Sequence, residues 1–452
     1  MTESNGIDDS TKSLDNQRPL GLLNRDFLLL WQGQTISGIG VSLYQIAMLY
    51  WLLENTGSAT TMGLVAMFSA LPGVLLGPFG GAIADRFSRR KLIVFGDLIL
   101  GITLLSVGIT FLLVDGSTDL KVGLMIAAGV IVGIVGSFFR PAVTAAIPNL
   151  VPIEKLASAN AMNSFSMTGS MALGQAIGGV LFRIVGAPIL IFVNGITYLL
   201  SALSEVFIRL PQELPVTPPS WRSLARQFNH EVVEGIRYVW THRGLRNMAL
   251  AFAVISFITA PLSILMPILL DQHRNLPPDW FGYLMAAMAV GNLFGLALAG
   301  SIKIDGSSRA IWILISLYAM ATTTFLMGTA EKSYILLIAN AVSGFFMGGT
   351  IVLFTTLMQA TTPDGLRGRV ASVMSTVIGG TTPIAMGLSG VLADAVDQDV
   401  PFLFQSASVF CFIFVSMLIA NRPFREFLST QLVVNNGGKT GKETGRIRSS
   451  NE

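Results

Sequence analysis

Charge is what this 452-residue chain is short of: Asp, Glu, Lys and Arg make up 12% of it, while 52% is hydrophobic. Soluble domains carry roughly a quarter charged residues, so a water-covered enzyme or nucleic-acid-binding domain is excluded. Cysteine occurs once, as Cys411 inside an apolar run, where no intrachain disulfide can form and the thiol packs as a small hydrophobe. The three histidines, His230, His242 and His273, have no metal-ligand spacing and no paired nucleophile. No metal, cofactor or catalytic residue is expected, and the chain does not read as an enzyme. ATP motifs are missing too: the tail's GGKT at 437–440 has Val433 where a phosphate loop needs glycine. The opening segment MTESNGIDDSTKSLDNQRPLGLLNRD lacks an apolar core, so no cleaved signal peptide is expected.

What the chain does have is long apolar runs. A helix needs about 20 such residues to cross a ~30 Å hydrocarbon core. Twelve spans can be read, near 27–53, 60–83, 92–114, 122–147, 159–182, 187–208, 248–270, 280–302, 310–329, 334–358, 371–394 and 401–420. The fold class is therefore an all-α, multi-pass membrane protein. Lys121, Arg183, Arg274 and Lys332 fall in alternate loops on one side, Arg140 falls within a span, and the remaining basic residues lie on the other side or in the tails. By the positive-inside rule the basic side is cytoplasmic, which places both termini in the cytoplasm and the protein in the cytoplasmic membrane.

Five regions follow: a cytoplasmic tail (1–24), six spans (25–208), a cytoplasmic linker (209–247), six more spans (248–421) and a disordered cytoplasmic tail (422–452). The linker opens on the proline-rich RLPQELPVTPPS. It then sets Trp221, Leu224, Phe228, Val232, Ile236 and Val239 at helical spacing, the pattern of an amphipathic helix on the membrane surface. The halves repeat without gaps over long stretches. Gly133 pairs with Gly344, Thr144 with Thr355, Pro152 with Pro363, and Gly179-Val180-Leu181 with Gly390-Val391-Leu392. Nearer the start of each half Gly81 pairs with Gly300, Ser88 with Ser307 and Arg90 with Arg309. Two pseudo-symmetric six-helix bundles with a substrate between them describe one transporter architecture.

The loop GAIADRFSRRK between spans 2 and 3 resembles the signature loop of the major facilitator superfamily, matching at Gly81, Ala84, Asp85, Arg86, Arg89 and Arg90. SMALGQAIGGVL in span 5 resembles that superfamily's antiporter motif at Gly174, Gly178 and Gly179, with Gln175 in place of the usual proline. NRDFLLLWQGQTISGIG, FRPAVTAAIPNLVPIEKLASANAM and EVVEGIRYVWTHRGLRNM are similar to the drug:proton antiporter branch that includes the enterobactin exporter and the macrolide efflux proteins. The resemblance implies that Asp85 faces the start of span 11, near Arg369, as a conformational gate between the halves; the alternative is a solvated Asp85 among topology-fixing cations.

Charges at membrane depth cost about 2.5 kcal/mol or more and so face a cavity or a partner. Asp97 in span 3 and Arg140 in span 4 fall within about two turns of the same depth, and they are the proton-coupling candidates. A fixed ion pair, or Asp97 bonded to the loop arginines, reads the sequence equally well. Glu205 precedes Arg209 by four residues, the spacing of an ordinary helix ion pair. Gln34, Gln45, Asn163, Asn194, Asn292 and Asn340 are the candidates for a substrate cavity or for interhelical bonds. The expected function is secondary export of an amphipathic drug-like compound or macrolide by proton antiport with alternating access. The alternatives are a dedicated siderophore or metabolite exporter, or a lipid scramblase or non-transporting receptor on the same fold. The partners are a small-molecule substrate, protons and membrane lipids, with no nucleic acid, in a monomer.

Overall fold

A computed structural model describes residues 21–212, 232–302, 304 and 306–430. Among these the chain is helical throughout, with no strand, because inside a bilayer each backbone amide must be satisfied within its own segment. The first four spans are Arg25–Thr56, Ala59–Arg86, Arg89–Leu113 and Thr118–Leu150. Spans 7 to 12 are Arg243–Ile268, Asp279–Ser301, Gly306–Thr329, Ser333–Thr361, Arg367–Ala395 and Val400–Ala420. Polar residues just before several of them cap free amides: Asn24 accepts from Phe27 N, Ser58 from Thr61 N and Asp399 from Phe402 N.

Spans 5 and 6 follow one another without a connecting loop over the 50 residues Leu156–Glu205. As one unbroken helix at 1.5 Å per residue this stretch would be about 75 Å long, more than twice a bilayer core. Gly186, at φ 74° and ψ 169°, breaks it into two membrane-length arms. A Cβ would disfavour that conformation, so glycine is required there. The twelve expected spans are all present, one of the eleven long apolar helices supplying two.

The tails leave from one face, here the tail face, and the opposite face is the far face. Apolar side chains form three clusters. One, at the far face, mixes both halves: Tyr50, Trp51 and Phe182 pack with Leu265, Phe281 and Phe404. The other two lie at the tail face and each belongs to one half, around Phe27, Phe139 and Ile147 or around Leu245, Leu357 and Phe424. The halves are thus fused at the far face and separate at the tail face. Spans 2 and 11 form one seam of this fusion. A Cβ on Gly63 would sit 2.5 Å from Met386 O, and one on Gly390 would sit 2.3 Å from Ala59 O, so bulk at either position would part the helices.

Each half is closed at the tail face by an arginine at the start of its third span. Arg90 donates to Val206 O just past span 6, and Arg309 donates through Nε to Leu428 O at 3.0 Å and through a second nitrogen to Thr430 O. The repeat Arg90–Arg309 read from sequence is therefore a repeated brace. This corrects the expectation of a wholly disordered tail from 422: Arg422–Leu428 is a short helix with Phe424 and Leu428 buried. The rest of that tail, the N-terminal tail to residue 20, and Trp221, Leu224 and Phe228 lie outside the described residues. Residues 232–241 are helical, but this helix leans on its own half rather than lying only along a membrane surface. Val239 is buried in the second-half core, Tyr238 Oη donates to Thr361 O at 3.4 Å, and Gly235 abuts Val373.

Candidate functional site

Asp97 is fully buried, and the partner foreseen for it is not there. Arg140 is exposed and forms no ion pair with it. Instead span 3 presents Asp97 to span 6, where its neighbours are Ser201 and Glu205; Glu205 is also fully buried. Gln34 Nε2 of span 1 donates to Glu205 Oε1 at 2.8 Å. No well-formed bond reaches Asp97 Oδ1 or Oδ2, Glu205 Oε2 or Ser201 Oγ. Three helices can converge here because Gly33 leaves room: a Cβ on it would lie 2.7 Å from Ser201 Oγ and 3.3 Å from Glu205 Oε1. Two neighbouring buried carboxylates, without a cation between them, can relieve their repulsion by holding a proton. The i,i+4 pairing of Glu205 with Arg209 fails because the helix stops at Glu205. Arg209 lies beyond it, its backbone N donating to Asp26 Oδ1 at 3.0 Å.

The signature loop is in place, but its Asp85 does not meet span 11. Arg89 fastens the tail face of the first half, donating to Ala84 O, Ala145 O, Asn149 Oδ1 and Asp85 Oδ1. Arg86 Nη1 donates to Ala82 O, and Gly81 has open space around it. Asp85 keeps a side-chain exposure of 69% and pairs with Arg89 at 3.1 Å, while Arg369 pairs with Glu234 of the linker helix. The expected meeting of Asp85 with the Arg369 end of span 11 is absent from this conformation.

The halves are bonded instead at the far face, in a way the sequence did not announce. Asp394, near the end of span 11, caps the start of span 2 across the interface. It accepts from Ser58 Oγ at 2.8 Å, Ala59 N at 3.0 Å and Thr60 N at 2.8 Å. A carboxylate at a helix N-terminus meets free amides and the positive end of the dipole. Gln398, held at φ 58°, reaches Gly57 O at 2.6 Å and Asp394 Oδ1 at 2.8 Å. On the other side of the interface Arg183 pairs with Asp279 at 3.0 Å. Among the described residues these cross-half polar contacts all lie at the far face.

The glycines of the span-5 motif serve two interfaces. Gly174 and Gly178 admit Ser42 and Ile46 of span 1, and Gly179 admits Pro278 at the start of span 8. Gln175 sits between them, its carbonyl against Gly282. Of the polar cavity candidates Gln45 is exposed, and Gln34, Asn163 and Asn292 are half-buried. Asn194 and Asn340 are buried inside their own halves, the Asn194 backbone carbonyl accepting from Thr197 Oγ1 at 2.8 Å and Asn340 Nδ2 donating to Leu336 O at 2.9 Å. No group of three metal-ligating side chains occurs among the described residues.

The chain matches the family described as transmembrane secretion effector over residues 19–436. It is 24% identical over 395 residues to macrolide efflux protein A of Streptococcus pyogenes, covering 87% of this chain and 95% of that protein. It is 26% identical over 383 residues to the multidrug efflux pump Tap of Mycolicibacterium fortuitum, covering 83% and 91%. Among solved structures it superposes on a bacterial homolog of the human lysosomal transporter Spinster, inward-facing and unoccupied, with a TM-score of 0.62 at 15% identity, covering 89% and 96%. It superposes on a D-xylose–proton symporter with a TM-score of 0.64 at 14% identity, covering 90% and 100%. The last two likenesses show the fold alone.

Proposed function

Because the chain belongs to the transmembrane secretion effector family of the major facilitator superfamily, we propose that it exports an amphipathic drug-like compound, macrolides included, by proton antiport. The tail face is then cytoplasmic, and the structure is the inward-open state of an alternating-access cycle. The observation that carries the reading is the asymmetry of the interface, bonded by Asp394 and Arg183 at the far face and split into separate cores at the tail face. A carrier that loads from the cytoplasm needs that arrangement in its resting state.

Coupling to protons is supported by Asp97. At its depth no cation neutralises it, and a proton is the counter-charge left to it. One charge moved through 100 mV supplies about 2.3 kcal/mol, roughly a fifty-fold concentration ratio. In liposomes holding a pH dye, addition of erythromycin or ethidium should trigger proton movement that Asp97→Asn loses. Proton movement unchanged in Asp97→Asn would take Asp97 out of the coupling step, and none with wild-type protein for either probe would remove the antiport reading.

A further inference from the structure

We propose that Asp97 and Glu205 hold a proton between them, and that Glu205 is the group through which it reaches water at the tail face. The inference deepens the antiport reading, which gives the proton something to drive. It starts from an inequality between two equally buried carboxyls. Asp97 has protein on every side. Glu205 also borders a small cavity of about 10 Å³ open to the centre of a water molecule, walled by Leu30, Ile93, Leu150, Ile208 and Arg90. That is room for about one water, and its outer wall, Arg90, is exposed at the tail face. The cavity leads from Glu205 toward the face at which the halves stand apart.

The other charged or titratable groups nearby do not compete for the role. Tyr44 of span 1 and Tyr198 of span 6 are buried, and their hydroxyls are not acids in the range of a carboxyl. Arg140 of span 4 is exposed and bonds to neither carboxylate. Arg90 is engaged with Val206 O. Gln34 is neutral and holds Glu205 Oε1, leaving Oε2 free to face Asp97. In the step itself the O–H bond on Asp97 breaks as one forms on Glu205 Oε2, and Glu205 passes the proton to the cavity water. No electron changes owner. The emptied pair then carries two neighbouring negative charges, which a cationic substrate or the next proton relieves.

Infrared spectroscopy of the full-length protein in lipid nanodiscs tests this without any substrate. The carbonyl stretch of a protonated carboxyl should be present at neutral pH, and Asp97→Asn and Glu205→Gln should each displace what remains of it. After an alkaline pH jump, loss of the band should slow by about a hundredfold or more in Glu205→Gln, the scale of a lost positioned acid–base group, with partial recovery in Glu205→Asp. If Glu205→Gln does not fold, Gln34→Met must shift the same band. A wild type with no protonated carboxyl, or a Glu205→Gln protein with unchanged band and rate, overturns the proposal. A shared band in a protein that moves no protons with substrate would instead sink the antiport reading alone.

Discussion

Spans 2 and 11 run antiparallel along one seam, and each carries an acidic residue near its end: Asp85 at the tail face, Asp394 at the far face. The two have opposite fates. Asp394 is docked on the start of span 2, with its oxygens on Ser58, Ala59, Thr60 and Gln398. Asp85 hangs in solvent beside Arg89, while Glu234 occupies Arg369 at the start of span 11. If Asp85 docks there when the tail face closes, as its family resemblance implies, the seam holds two reciprocal clasps that cannot be shut together. The signature loop is then half of a device, and Asp394 is the half that no signature marks.

The comparison breaks most readily at Asp394. Asp394→Ala removes the charge-assisted bonds that span the interface, each contributing roughly 1.5–3 kcal/mol. Losing about 3 kcal/mol of far-face closure shifts the balance roughly a hundredfold toward the tail-closed state. Electron-spin distances between labels at Glu54→Cys and Asp397→Cys should lengthen accordingly, and unchanged distances would show that Asp394 does not hold the face shut. A smaller effect is expected from Glu234→Gln. It frees Arg369 for Asp85, and the same labels should show a few-fold gain in the tail-closed population, the scale of a partly exposed ion pair. The smallest is Asp85→Asn. Asp85 makes no cross-half contact here, so far-face distances should not lengthen; only the return from the tail-closed state should quicken, read as faster loss of that state after substrate washout.

The fold was legible because hydrocarbon thickness dictates it. All twelve spans and the Arg90–Arg309 repeat follow from run lengths and spacing. The site was legible only in part. Asp97 stood out as a charge among apolar residues, but its partner depends on which faces of spans 3 and 6 meet, and a one-dimensional pattern does not carry that. Glu205 was assigned to Arg209 on helical spacing, and the helix ends before the spacing applies. Gly33, whose missing Cβ lets spans 1 and 6 close around the pair, was the available signal. Asp85 and Arg369, joined by resemblance alone, each pair with a residue of their own half here. Asn194 and Asn340 read as polar residues at depth, and their burial was not legible, because buried amides and amides that meet a substrate look alike in sequence.

Gly186 ties two of these stories into one. The arm before it carries Arg183, which pairs with Asp279 across the interface, and the arm after it ends on Glu205, about 28 Å away along the helix. Nothing crowds the glycine beyond Pro188, so its backbone angle, and not space, forbids a side chain. A single-residue change at that bend would alter the opening of the interface and the setting of the carboxyl pair together. Variation that tunes substrate handling must therefore arise elsewhere, on surfaces that leave this one angle alone.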